Sequence, residues 1–108
     1  MKTVVIVDNN TEILRQVEDS LNKVKGINVI GTAEDGEKGI LKIRMLRPDI
    51  VITDIKMPKV EGTEQIEFIA KHEENYIPHF IVITSQETQT ITKLNELLFT
   101  SRFDWRNL

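Results

Sequence analysis

Three positions in this 108-residue chain carry an oxygen-bearing side chain just past a run of aliphatic residues. Val4-Val5-Ile6-Val7 leads into Asp8, Ile50-Val51-Ile52-Thr53 into Asp54, and Phe80-Ile81-Val82-Ile83 into Thr84. A short β-branched run bounded by polar residues reads as a buried parallel strand. Open parallel sheets bind their ligands at the carboxyl ends of the strands. Three such strands running the same way gather Asp8, Asp54 and Thr84 at one edge. Two carboxylates and a hydroxyl suit a hard cation and phosphate chemistry.

The intervening segments supply the elements that must position these residues. Thr11 to Lys25 carries Ile13, Leu14, Val17, Leu21 and Val24 on one helical face, with Asn10 or Thr11 as cap and Gly26 as terminator. Asn28 to Ala33 reads as a second strand, and Asp35-Gly36 as a turn. Glu37 to Arg47 reads as a helix with Ile40, Leu41, Ile43 and Leu46 inward, stopped by Pro48. Met57 to Gly62 is a loop, and Thr63 to Lys71 a helix with Ile66 and Ile69 inward. Pro78 precedes the fourth strand, and Thr88 to about Leu98 fits a fourth helix. The alternation predicts a parallel sheet with helices on both faces. After Leu98 no strong aliphatic run follows, so a fifth strand is short and no fifth helix fits.

The length suits one domain, 1–108, whose part from about residue 99 is atypical. Apolar residues make up 40% and charged residues 29%, with a formal net charge of −3. That charge argues against direct nucleic-acid binding through this surface. Cysteine is absent, which excludes disulfides, zinc thiolates and thiol nucleophiles. No apolar stretch is long enough to span a bilayer, and Met1-Lys2 leads straight into the first strand. The expectation is a cytoplasmic chain without signal peptide or membrane anchor.

An aspartate can attack phosphorus and form an acyl phosphate, and Asp54, on the central strand, is the best nucleophile. Here the chain resembles the response-regulator receiver domains of two-component signalling. The resemblance rests on Ile6-Val7-Asp8-Asn9-Asn10, on Pro48-Asp49-Ile50-Val51-Ile52-Thr53-Asp54-Ile55-Lys56-Met57-Pro58, on Gly62 and on Ile81-Val82-Ile83-Thr84-Ser85. It implies a flavodoxin-like (CheY-like) doubly wound α/β sheet of strand order 2-1-3-4-5, here with a truncated or irregular β5/α5 region. It further implies Asp54 as phospho-acceptor and Thr84 as switch hydroxyl. Asp8, Asn9, Asp54 and the backbone carbonyl of Lys56 would hold Mg²⁺, while Pro58 and Gly62 shape the loop after the acceptor. Val29 to Ala33 and Phe103-Asp104 are also similar to receivers of sporulation master regulators, which adds transcription regulation to the implied roles.

Two departures stand out. The family usually has a second acid where this chain has Asn9, so one negative charge is missing and weaker metal affinity is expected. The family's phosphate-pairing lysine, followed by proline, has no counterpart after Thr84. Arg102 is the nearest substitute, with a guanidinium fork in place of an ammonium point charge. Phe99 is the candidate for the aromatic switch position. Several other residues have ordinary readings: Asn10 as a cap, the Lys56 side chain as a solvated charge, His72 and His79 as surface residues, and Met45 and Met57 as packing residues.

The expected function is a signalling phospho-acceptor, not an enzyme beyond assisting its own phosphorylation and dephosphorylation. A sensor histidine kinase or phosphotransfer protein would be its donor. The alternative is a degenerate receiver serving as a phosphorylation-independent binding or dimerisation module. Two enzyme classes fail on residues. A haloacid-dehalogenase-like phosphatase needs a second Asp two positions after its nucleophile, and a flavodoxin needs a hydroxyl-rich loop where Asp8-Asn9-Asn10 stands. The short tail suggests a homodimer through an exchanged or exposed C-terminal region. No DNA-binding module is recognisable, so output falls to a partner or to an effector domain missing here.

Overall fold

Seven elements alternate along the chain: β1 (Lys2–Val7), α1 (Thr11–Asn22), β2 (Ile27–Ala33), α2 (Gly36–Leu46), β3 (Ile50–Asp54), α3 (Gly62–His72) and β4 (His79–Ile83). The structure is a computed structural model that describes residues 1–57 and 59–83. The strands form one parallel sheet in the order β2-β1-β3-β4, the order expected for the first four. The expected fourth helix and fifth strand lie outside the described residues.

The central strands are apolar on both faces because both faces are covered. On one face Val4, Ile6, Ile50 and Ile52 pack with Val17, Leu21 and Val24 from α1 and the turn after it. On the other, Val5, Val7 and Val51 pack with Ile43 of α2, Met57 of the following loop and Ile69 of α3. Each fully buried aliphatic side chain contributes about 1.5–3 kcal/mol. Asn10 caps α1 by accepting from the N–H groups of Glu12 and Ile13 at 3.1 and 3.2 Å. Asp35 caps α2 through the Lys38 N–H at 2.8 Å. Arg47 ends α2 in the left-handed region, φ 46°, ahead of Pro48. β2 takes a bulge between its pairings Val4↔Val29 and Val5↔Gly31, which leaves Ile30 as the extra residue.

α2 differs from the expectation. Ile43 is fully buried, but Leu41 is 60% and Leu46 37% exposed, and Met45, read as a packing residue, is 72% exposed. The reason is close packing of the helix through glycine. Gly36 and Gly39 are both buried, so the face of α2 that touches the protein is set by its small residues. Apolar residues to either side of that face then point outward. A Cβ on Gly36 would stand 2.0 Å from the Val60 carbonyl oxygen, and one on Gly39 would stand 2.6 Å from Gln65 Oε1 and 2.9 Å from Val7 Cγ1.

The amino ends of β1 and β3 are fastened by a reciprocal clamp. Asp49 Oδ2 accepts from the Thr3 N–H at 2.9 Å and from the Thr3 hydroxyl at 3.1 Å, while the Asp49 N–H donates to Thr3 Oγ1 at 3.0 Å. At the carboxyl end of α2, Glu73 accepts from Arg44 and Arg47 at 2.6 and 3.2 Å. The two guanidiniums lie over the rings of Phe68 and Tyr76. The Tyr76 hydroxyl donates to the Pro48 carbonyl at 2.7 Å, and burial pushes its pKa up.

This packing has measurable consequences. Gly36→Ala is expected to lose about 1–3 kcal/mol, as overpacked sites do; an unchanged denaturant midpoint would show that the 59–61 segment yields freely. The Thr3 N–H holds Asp49, and the Lys38 N–H holds Asp35, below the ordinary carboxylate value of 3.8. A depressed folded pKa gives stability that is whole above pH 3.8 and is lost as pH falls through the folded values. Urea melts from about pH 5 to about pH 2 should therefore show a shallower acid loss for Asp49→Asn than for wild type.

Candidate functional site

The clamp at Thr3 and Asp49 carries through to the other end of the strands. Those two residues are 46 apart in sequence, and the β1–β3 register keeps the same offset from Val4↔Ile50 to Val7↔Thr53. One step further along, that offset sets Asp8 opposite Asp54. Alternation along a strand gives both the same facing, since Asp8 follows Val4 and Ile6, and Asp54 follows Ile50 and Ile52. Two carboxylates thus share the carboxyl edge on the α1 side. Asp8 is 0% and Asp54 2% exposed. Two like charges so placed favour a cation between or beside them.

Backbone N–H groups fix each carboxylate. Asp8 donates its own N–H to the Ala33 carbonyl at 3.0 Å, and its Oδ1 accepts from the Asn10 N–H at 2.8 Å. Asp54 Oδ1 accepts from the Lys56 N–H at 3.3 Å. Asn9 and Lys56 are exposed, next to the two acids. Among the described residues no three His, Cys, Asp or Glu side chains come together as a metal cluster. A cation here would draw on the two carboxylates and on neutral oxygens such as the Asn9 amide and the Lys56 carbonyl, a hard donor set that fits Mg²⁺.

The loop after Asp54 is held at several points. The Ile55 N–H donates to the Ile83 carbonyl and the Gly62 N–H to the Ile55 carbonyl, both at 3.0 Å. Met57, 6% exposed, is buried in the cluster with Ile43 and Ile69. A Cβ at Gly62 would stand 2.5 Å from the Asp54 carbonyl oxygen, so only glycine lets α3 start this close to the strand end. Lys59 adopts φ 70°, a conformation that costs a residue with a Cβ about 1–2 kcal/mol. Its ammonium lies 3.7 Å from Asp35 and 4.0 Å from Glu37.

One part of the site escaped the sequence reading. Thr53 closes an aliphatic run and is fully buried, facing away from Asp54. Its hydroxyl donates to the Asp54 carbonyl at 3.1 Å and accepts from Gln65 Nε2 at 2.8 Å. Gln65 is 0% exposed, while Ile66, expected inward, is only half-buried. The available signal was spacing, since Gln65 stands four residues before Ile69 and so shares its face. Gln65 Oε1 has no hydrogen-bond partner among the described residues, at a cost of about 1–3 kcal/mol.

Asp8, Asn9, Asp54 and Lys56 are thus brought together. Thr84, Arg102, Phe99 and Pro58 lie outside the described residues. His72 and His79 are exposed, as expected, with the His72 ring stacked on Phe68.

Comparison with known proteins agrees with this architecture. The chain is 34% identical over 102 residues to a protein-glutamate methylesterase/protein-glutamine glutaminase of Koribacter versatilis, an alignment covering 94% of this chain and 27% of the relative. It spans about a quarter of the length of such curated relatives. Among solved structures it is similar to the response regulator domain of Thermotoga maritima CheB, with TM-score 0.70 and 26% identity over 90% of this chain and 71% of that one. It is also similar to the CheX-CheY-BeF3-Mg complex of Borrelia burgdorferi, with TM-score 0.68 and 31% identity over 82% and 66% of the two chains. Among the described residues no helix is long and apolar enough to cross a membrane. The model of the response regulator receiver domain matches residues 4–97, a span that touches all seven described elements, and on that match this chain belongs to the response regulator receiver family.

Proposed function

We propose that Asp54 is the phospho-acceptor and that a phosphorylated histidine of a sensor kinase or phosphotransfer protein is the donor. The observation that carries this reading is the register that sets Asp54 beside Asp8 at the carboxyl edge. A carboxylate oxygen of Asp54 forms the new P–O bond as the P–N bond to the donor imidazole breaks. The imidazole leaves with the bond's electron pair and takes a proton from water. The Lys56 N–H holds Asp54 Oδ1 and so orients the carboxylate during the approach. Asp8, the Lys56 carbonyl and the Asn9 amide would hold Mg²⁺, which supplies charge screening for an anionic nucleophile and an anionic phosphoryl group. Thr84 is proposed as the switch hydroxyl and Arg102 as the phosphate-pairing cation.

The output passes to a partner, to a second copy or to an attached effector, in the cytoplasm. Methylesterase activity is what the curated relatives' name states of them; an effector of that kind is one candidate for control by this receiver. Asn9 supports a second reading, in which phosphorylation is weak and the domain serves as a binding or dimerisation module.

Acetyl phosphate with Mg²⁺ is expected to add one phosphoryl group to the wild-type chain by intact mass, and none to Asp54→Ala. An equal adduct on both would sink the assignment of Asp54, while no adduct on wild type would favour the binding-module reading. Restoring the second acid with Asn9→Asp should tighten Mg²⁺ binding by about tenfold, since hard cations respond to ligand charge. Magnesium titration followed by NMR checks it; equal affinities would place Asn9 outside the metal's reach.

A further inference from the structure

We propose that Gln65 and Thr53 are positioning residues for the acceptor, acting on Asp54 through its backbone carbonyl. The inference rests on the reading of Asp54 as phospho-acceptor.

The β1–β3 pairing ends at Val7↔Thr53, one residue before Asp54. The Ile55 N–H turns toward β4, where it meets the Ile83 carbonyl. Backbone groups alternate sides along a strand, so the Asp54 carbonyl turns toward β1, past the last paired residue. There the Thr53 hydroxyl donates to it at 3.1 Å. A hydroxyl proton engaged this way leaves only lone pairs for a further partner, and Gln65 Nε2 donates to one of them at 2.8 Å. Gln65 lies in the first turn of α3, three residues after the glycine that packs against the same carbonyl. The chain of donors therefore fastens the start of α3 to the peptide that carries the acceptor. The loop from Ile55 to Glu61, which includes Lys56, is closed at both ends by this fastening and by the Gly62 N–H to Ile55 bond.

Packing alone does not call for this pair. Thr53 lies on the sheet face of Val5, Val7 and Val51, and Gln65 on the helix face of Ile69, all members of one apolar cluster, and two apolar residues would suit that environment. Gln65 Oε1 goes without a hydrogen bond among the described residues. It is aimed at Gly39, the position on α2 where any Cβ would stand 2.6 Å away. The site thus keeps an amide at a cost in buried polarity and gives up a side chain on α2 to house it. What the amide secures is the orientation of one hydroxyl, and through it one carbonyl.

The test separates positioning from stability with two variants of opposite character. Thr53→Val with Gln65→Leu nearly keeps volume; it removes the orphaned Gln65 Oε1 but also takes a donor from the Asp54 carbonyl, so its denaturant midpoint should stay close to wild type. Its rate of phosphorylation by acetyl phosphate with Mg²⁺ should fall by about tenfold, the scale of a small misplacement of a reacting group. Thr53→Ser loses a buried methyl and some stability but keeps the hydroxyl, and its rate should stay near wild type. A double variant that phosphorylates at the wild-type rate, or a Ser variant as slow as the double variant, would overturn the proposal. If wild type takes no phosphoryl group, the acceptor reading fails, and amide exchange at Gly62 decides this one. Exchange faster by about tenfold in the double variant supports the fastening, and unchanged exchange overturns it.

Discussion

The relative register of β1 and β3 is the constraint on which the rest depends. Both strands are buried on both faces, so a slip of one residue would exchange one aliphatic face for another at little hydrophobic cost. Alternation of apolar and polar residues, which pins a half-buried strand, is not available here. The polar ends do the pinning. Thr3 and Asp49 bind each other reciprocally at the amino edge, and the offset they impose persists to the carboxyl edge, where it sets Asp8 opposite Asp54. A hydrogen-bonded pair at the far end of the sheet thereby helps decide that two carboxylates share a site.

The second structural theme is close approach through glycine. Gly62 lets α3 begin against the Asp54 carbonyl, and Gly36 lets α2 begin against Val60 in the loop between β3 and α3. Met57 buries the middle of that loop, and Lys59 reaches the cap residue Asp35. The loop after Asp54 is therefore held from β3, from α3 and from α2. Its geometry is a property of three elements packed together, not of the loop sequence alone.

The fold was largely legible. β1, α1, β2, β3 and β4 fall within a few residues of their expected bounds, because β-branched runs and helical periodicity are local signals. Asn10 caps α1 as expected, and Asp35, expected in a turn, caps α2 with a side-chain oxygen. The inward face of α2 departs from its hydrophobic pattern. Leu41, Leu46 and Met45 look like core residues when apolarity is taken as burial, yet the helix is seated by Gly36 and Gly39, whose lack of side chain no hydrophobicity scale rewards. α3 gives the opposite error: Gln65 is polar and fully buried, while Ile66 beside it is not.

By itself the sequence singled out the candidate residues. Asp8 and Asp54 end aliphatic strands, Met57 and Gly62 mark the loop that follows, and Asn9 stands where a second acid is usual. Those features are local, and local order fixes them. Only the tertiary structure decided what surrounds Asp54. That the Thr53 hydroxyl meets the Asp54 carbonyl, that the Gln65 amide meets the Thr53 hydroxyl, and that Gly39 leaves room for Gln65 are facts about three elements meeting from separate parts of the chain. Their meeting depends on packing distances of a few ångströms, which residue type and spacing along one element do not encode.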